Sequence, residues 1–138
     1  MIRIVVVGGI GSGKTYAAKL FGLPVFNADK EVSRIYKTNK PVYKKLKIKL
    51  PDFISSFPIE KKQIISAVKN KTKNLNLINR IVHPAVRKNM YKFLKKNKKK
   101  EAIVLDIPLY FENKLNKKKD VVIFISTKKK LINKGLKK

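Results

Sequence analysis

Gly8-Gly9-Ile10-Gly11-Ser12-Gly13-Lys14-Thr15 has the spacing G-x-x-x-x-G-K-[ST], that of a phosphate-binding loop. Its flanks decide the reading. Ile2, Ile4, Val5, Val6 and Val7 before it form an apolar, β-branched run of strand length. Tyr16, Ala17, Ala18, Lys19 and Leu20 after it read as the start of a helix. Strand, glycine loop, helix is the context in which backbone N–H groups and the positive end of a helix can surround phosphate oxygens. The glycines let the backbone turn inward without Cβ clashes. Lys14 is placed to reach the outer phosphates, and the Thr15 hydroxyl to ligate Mg²⁺. The candidate nucleotide-binding set is Gly8, Gly9, Ile10, Gly11, Ser12, Gly13, Lys14, Thr15 and Tyr16. A plain tight turn between strand and helix is the bland alternative.

Working outward, Gly22 is positioned to end the first helix. Leu23-Pro24-Val25-Phe26 reads as a short second strand that delivers Asn27-Ala28-Asp29 at its end. Ligands in open α/β sheets bind beyond the carboxyl ends of strands, so Asp29 is expected at the same crevice as the loop. It can also N-cap the helix carrying Val32, Ile35 and Tyr36, and one residue could serve as both. From residue 30 to about 100 the pattern is mostly helical. Val42, Leu46 and Leu50 make a second helical face, and Pro51 to Pro58 a break. Ile59, Ile64, Ile65 and Val68 make a third helix, and 70–76 a polar loop or frayed end. Leu77, Ile78, Ile81 and Val82 make a fourth, expected to end or kink at His83-Pro84 before a stripe of Val86, Met90, Phe93 and Leu94. Ala102-Ile103-Val104-Leu105 then reads as a buried strand ending in Asp106. An acid at a strand tip opposite a phosphate loop is suited to hold Mg²⁺, directly or through water. Val121 to Ile125 is the last clear strand. The expected fold class is α/β, with a parallel sheet and a helical insertion after its second strand.

Composition bounds the rest. The chain has 138 residues, 43% of them hydrophobic, enough for one domain with a real core. It lacks cysteine, which excludes disulfides and thiolate metal sites. No apolar run is long enough to span a bilayer. With a nucleotide loop and no visible leader, a cytoplasmic location is the expectation. The formal net charge of +27 suggests attraction to polyanions. Only Arg3, Arg34, Arg80 and Arg87 are arginines, the residue that specific nucleic-acid readers favour. The lysines read as compositional drift of a solvated surface, so the expectation is nonspecific polyanion attraction at low salt and no specific nucleic-acid partner.

Taken together, several stretches resemble the dephospho-coenzyme A kinase family. Gly8 to Thr15 resembles that family's G-G-I-G-S-G-K-S/T loop, and Asn27-Ala28-Asp29 its D-A-D motif. Ile59-Glu60-Lys61-Lys62-Gln63-Ile64 is similar to I-D-R-x-x-L, and His83-Pro84-Ala85-Val86-Arg87 to H-P-x-V-R. Asp106-Ile107-Pro108-Leu109-Tyr110-Phe111-Glu112 closely resembles D-I-P-L-L-F-E, the most specific of the five. The resemblance runs from residue 1 to about 127. It implies a P-loop kinase-like, three-layer fold in one domain, with a core of 1–29 and 101–138 and an acceptor-binding insertion at about 30–100. It also implies ATP and Mg²⁺ as cofactors, and phosphorylation of the ribose 3′-hydroxyl of dephospho-coenzyme A, the last step of coenzyme A synthesis. Other small-metabolite kinases on this scaffold, or a catalytically impaired nucleotide-binding fragment, are the alternatives.

By the same resemblance Asp29 and Lys14 are the catalytic candidates and Thr15 and Asp106 the metal candidates. Asp29, His83, Arg87, Pro108, Leu109 and Glu112 are the substrate-binding candidates, with Lys61 a further contact for acceptor phosphates. His83 serves equally well as a helix cap or core hydrogen-bonder, and Arg87, Lys61 and Glu112 as solvated charges. Three departures stand out. Asn27 replaces the first acid of D-A-D and can still accept a hydrogen bond. Lys61 stands where the family has Arg and loses bidentate geometry. Ile132-Asn133-Lys134-Gly135-Leu136 is the nearest match to the family's Q-x-x-R-L-x-x-R lid, with Ile132 at the Gln and Gly135 at the first Arg. The expectation is a chain lacking the lid, whose arginines stabilise the transferring phosphoryl group, and the last strand.

Overall fold

The computed structural model describes residues 2–8, 20, 22–107 and 121–125. Five apolar, β-branched residues within seven make β1, Ile2–Gly8. Strand β2 is Val25–Asn27, β3 is Ala102–Asp106 and β4 is Val121–Ile125. All pair in parallel, in the order β2-β3-β1-β4. In β3, Ile103, Val104, Leu105 and Asp106 are all fully buried. Four consecutive buried residues mean both faces of that strand are covered, as parallel sheets require. Beside it in β1, Val5 and Val6 are equally buried. Val6 and Val104 pack with Ile4, Leu23 and Val25 around them. Burying each such side chain contributes roughly 1.5–3 kcal/mol.

The second strand begins later than the sequence suggests. Pro24 stays outside it, but its carbonyl accepts from the Val104 N–H at 2.9 Å, so the approach to β2 is already tied to β3. Gly22, just before, has φ +63, the left-handed conformation that glycine adopts without a Cβ penalty at helix ends.

Between β2 and β3 run four helices: α1 (Ala28–Thr38), α2 (Lys40–Lys49), α3 (Lys61–Asn70) and α4 (Lys73–Lys96). Compact packing divides the chain into two units, Met1–Asp29 with Met90–Lys138, and Lys30–Asn89. In the first, Phe26 and Phe93 meet at a centroid distance of 5.6 Å, a tilted aromatic pair. In the second, Val42, Leu46 and Leu50 are buried as their spacing predicts, with Ile35, Ile54, Ile59, Ile78, Val82 and Val86. Asn39 N-caps α2, its Oδ1 accepting from the Val42 N–H at 3.0 Å. Tyr43 packs on Phe57, ring centroids 5.3 Å apart, and ties the 51–58 break back to α2.

Three details go beyond the sequence pattern, and of the two alternatives at His83-Pro84 a helix end is ruled out. Helix α4 runs through His83-Pro84 without stopping. Proline removes one N–H from the ladder, and here buried Val82, Val86 and Met90 hold the helix on either side of the gap. In α3 the buried position is Ala67, while Ile65 is exposed. The polar stretch 70–76 is a tight corner, since only Lys71 and Thr72 separate α3 from α4. Asn74 explains the corner: it is buried, and its Nδ2 donates to the Ala67 carbonyl at 2.8 Å. That carbonyl lies in the last turn of α3 and also accepts from the Lys71 N–H at 3.3 Å, so Asn74 adds a second donor at the helix end.

Among the described residues no helix is long and apolar enough to cross a membrane. Asn74→Ala is expected to lower stability by about 0.5–1.5 kcal/mol in urea unfolding, the net contribution of one buried hydrogen bond, since the Ala67 carbonyl keeps the Lys71 N–H. Asn70→Ala, at an exposed helix end, is expected to change it by less than about 0.5 kcal/mol.

Candidate active site

The register of the sheet assembles the site. Asn27 on β2 is paired with Asp106 on β3, Asp106 with Val6 on β1, and Val6 with Ile123 on β4. Because every strand is parallel, this row lies near the carboxyl ends of all four. Gly8, two residues past Val6, is the last residue of β1 and the first of the glycine loop, so the loop leaves the sheet at this same edge.

Asp106 is fully buried. Side chains of paired residues in neighbouring parallel strands share a face of the sheet. The Asn27 amide accordingly reaches across, and its Nδ2 donates to Asp106 Oδ2 at 2.9 Å. The sequence allowed Asn27 a role as an acceptor. Facing a carboxylate it serves as a donor, because its carbonyl oxygen would repel the acid. Beyond Asp106, the Ile107 N–H donates to the Val6 carbonyl at 3.1 Å, and Ile107 is buried.

Asp29 is exposed and is the second residue of α1. The helix begins two residues earlier than an Asp29 cap would require, so Asp29 lies within the first turn. A carboxylate there still interacts favourably with the positive end of the helix.

Asn27, Asp29 and Asp106 thus belong to one compact unit, and His83 and Arg87 to the other. His83 is buried on α4, and Arg87 follows one turn later on the same face, half-buried. Lys61 is the first residue of α3 and is exposed. Lys14, Thr15 and Tyr16, with Gly9 to Gly13, lie outside the described residues, as do Pro108, Leu109 and Glu112.

Two features were not read from the sequence. The first is the Asn27–Asp106 bond, which depends on strand order; two polar residues ending two predicted strands were its only signal. The second is a cluster in the Lys30–Asn89 unit. Asn89 Nδ2 donates to Glu31 Oε1 at 2.5 Å, and Arg34 Nε lies 3.8 Å from the same oxygen. Beside it, Arg34, Thr38, Asn39, Lys40 and Asn89 line an open cleft of about 420 Å³.

Among the described residues, no three His, Asp or Glu side chains gather as a self-sufficient metal site. One buried acid beside a glycine loop suits Mg²⁺, which commonly takes one or two carboxylates and completes its shell with phosphate oxygens and water. The donor set therefore fits that cation.

A parallel β2-β3-β1-β4 sheet, a glycine-loop sequence leaving its central strand and an acid ending the neighbouring strand define a P-loop kinase-like α/β protein. The family model for dephospho-CoA kinase matches residues 2–136, and the chain belongs to that family. It is 32% identical over 124 residues to the dephospho-CoA kinase of Bartonella quintana, covering 86% of this chain and 63% of that protein. It is 35% identical over 141 residues to that of Bacillus thuringiensis, covering 92% and 67%. Among solved structures, TT1252 of Thermus thermophilus superposes with a TM-score of 0.70 at 25% identity, covering 90% of this chain and 64% of that one. The dephospho-CoA kinase of Campylobacter jejuni gives a TM-score of 0.67 at 22% identity, covering 88% and 64%, and supports the fold. The chain thus spans about two thirds of the length of the relatives it matches.

His83→Ala is expected to cost about 1–3 kcal/mol in urea unfolding, because it empties a buried polar position. Arg87→Ala is expected to cost less than about 1 kcal/mol.

Proposed function

We propose that this chain transfers the γ-phosphoryl group of ATP to the ribose 3′-hydroxyl of dephospho-coenzyme A, the last step of coenzyme A synthesis. The observation that carries the reading is the family match across residues 2–136. It is supported by Asp106, buried at the strand edge from which the glycine loop departs.

In this reading Gly8 to Thr15, with Tyr16, hold the ATP phosphates, and Lys14 neutralises charge on the transferring group. Mg²⁺ is held by Thr15 and Asp106 and supplies charge neutralisation on the phosphate oxygens. Asp29 accepts the proton of the attacking hydroxyl or orients it. The Lys30–Asn89 unit serves as the acceptor-binding insertion of a single kinase domain, where His83 and Arg87 contact the acceptor. Pro108, Leu109 and Glu112, which match the family's D-I-P-L-L-F-E segment, are further candidates to contact the acceptor. Phosphoryl transfer asks chiefly for positioning and electrostatic stabilisation, and these residue types meet both demands. Such a metabolic role belongs in the cytoplasm.

A coupled assay with ATP, Mg²⁺ and dephospho-coenzyme A tests the reading. It should be run on the chain and on the chain extended by the C-terminal segment of a longer relative. Coenzyme A formation is the expected result, and none from either protein defeats the proposal. Asp29→Ala is expected to lower kcat by about 100-fold or more, the scale of general-base catalysis. The KM for ATP is expected to move less than about threefold, since Asp29 acts on the acceptor.

A further inference from the structure

The cleft beside Glu31 lies wholly within the Lys30–Asn89 unit, where α1 ends and α2 begins. Its volume of about 420 Å³ suits a small ligand. Buried Ile35 forms part of its wall, while Arg34, Asn39, Lys40 and Asn89 bring polar groups to it, and no acid lines it. The acid of the neighbouring cluster is already engaged. Glu31 Oε1 accepts from Asn89 Nδ2, and Arg34 Nε stands 3.8 Å from the same oxygen, outside hydrogen-bond reach. Asn89 thus satisfies the carboxylate and leaves the guanidinium N–H groups of Arg34 without a hydrogen bond among the described residues; that side chain is 70% exposed. Asn39 commits its Oδ1 to the Val42 N–H, which leaves the donors of its Nδ2 for a ligand. Lys40 is exposed, opens α2 and has no carboxylate within reach among the described residues. The cleft borders the N-terminus of α2, whose partial positive charge adds to that of both side chains. No Asp or Glu occurs between Glu31 and Asp52, so no acid on α2 offsets this charge.

We propose that this cleft binds the phosphate or diphosphate group of a small ligand. Arg34 presents a planar fork of donors that matches two oxygens of one phosphate. Lys40 adds a point charge, and the Asn39 amide a neutral, directional donor. The site is separate from the glycine loop, which follows β1 in the other unit. A lysine-rich surface attracts polyanions without any built site. The cleft differs in its arrangement, an arginine spared by Asn89 from closing on its acid and a capping asparagine between it and Lys40. Two sources share the ligand chemistry: a free phosphorylated metabolite, and the diphosphate of the acceptor. Only the second rests on the function proposed above.

The experiment is a titration of the ¹⁵N-labelled chain with inorganic pyrophosphate, followed by amide resonances. The salt is held at about 150 mM, where attraction between separated surface charges is largely screened. Reading the amides of Thr38, Asn39 and Lys40 separates this cleft from pyrophosphate taken by the glycine loop. These amides are expected to shift along one saturable curve. Arg34→Gln combined with Lys40→Gln is expected to weaken that curve about tenfold or more. Lys44→Gln combined with Lys45→Gln removes the same charge from exposed positions on α2 outside the cleft, and is expected to change it less than about twofold. All four positions are exposed, and the remaining amide spectrum reports that each variant is folded.

Dephospho-coenzyme A is then titrated into wild type and the Arg34→Gln, Lys40→Gln protein. Shifts at the same amides that weaken in that protein assign the site to the acceptor's diphosphate. Pyrophosphate shifts with none from dephospho-coenzyme A assign it to a free phosphorylated ligand. Amides at 38–40 that stay still, or that drift without saturating, overturn the proposal. So does equal weakening by the two double variants, which marks nonspecific attraction only. A chain whose glycine loop binds no nucleotide overturns the function proposed above and leaves this site standing.

Discussion

The carboxylate of Asp106 is buried at the end of a strand with sheet neighbours on both sides, and the Asn27 amide donates to it across the sheet. A buried charge is tolerated only where it is hydrogen-bonded or held against other charge. That constraint reaches back through the fold. The acid stays in place because Ile103, Val104 and Leu105 before it and Ile107 after it are wholly buried. The amide reaches it because β2 pairs with β3 in one register: a slip by one residue would send Asn27 to the other face. Gly8, where the glycine sequence begins, ends the neighbouring strand because β1 pairs with β3 on its other side. Hydrophobic burial and strand register thus hold a polar group where apolar packing alone would exclude it.

The Lys30–Asn89 unit is organised by different means. Polar side chains finish its helices: Asn39 starts α2 with its side-chain oxygen, and Asn74 closes the last turn of α3. Asn89 joins Glu31, 58 residues earlier in sequence. These bonds decide where helices begin, turn and meet, while Val42, Leu46, Ile78 and Val82 supply the apolar surface. Asparagine suits the task because it can donate and accept at once without bringing charge into a half-buried corner.

Much of this was legible beforehand. The apolar runs at 2–7, 102–105 and 121–125 are long enough, and the punctuation around them clear enough, to mark three strands. The i, i+4 spacing of Val42, Leu46 and Leu50 marks a buried helical face. Less legible were features settled by tertiary context. Proline usually breaks a helix, yet buried residues on both sides carry α4 across Pro84. A polar run usually signals a loop, yet Asn74 is a buried donor. Within the candidate site, the sequence pointed to Asp106 and Asp29 as individual acids. It could not show that Asn27 and Asp106 are partners, because strand order is not written in local pattern. The family resemblance even marked Asn27 as a departure, where the structure finds a specific bond.

The brevity of β2 also bears on solubility. A parallel sheet invites further strands wherever its outer edge presents a run of unsatisfied N–H and C=O groups, and such an edge recruits neighbouring chains. Among the described strands β2 forms one border of the sheet, and it is three residues long before the backbone coils into α1. Alternation leaves only part of that length facing outward, too little to template another strand. The turn that brings Asn27 to Asp106 therefore also keeps the border of the described sheet short on that side.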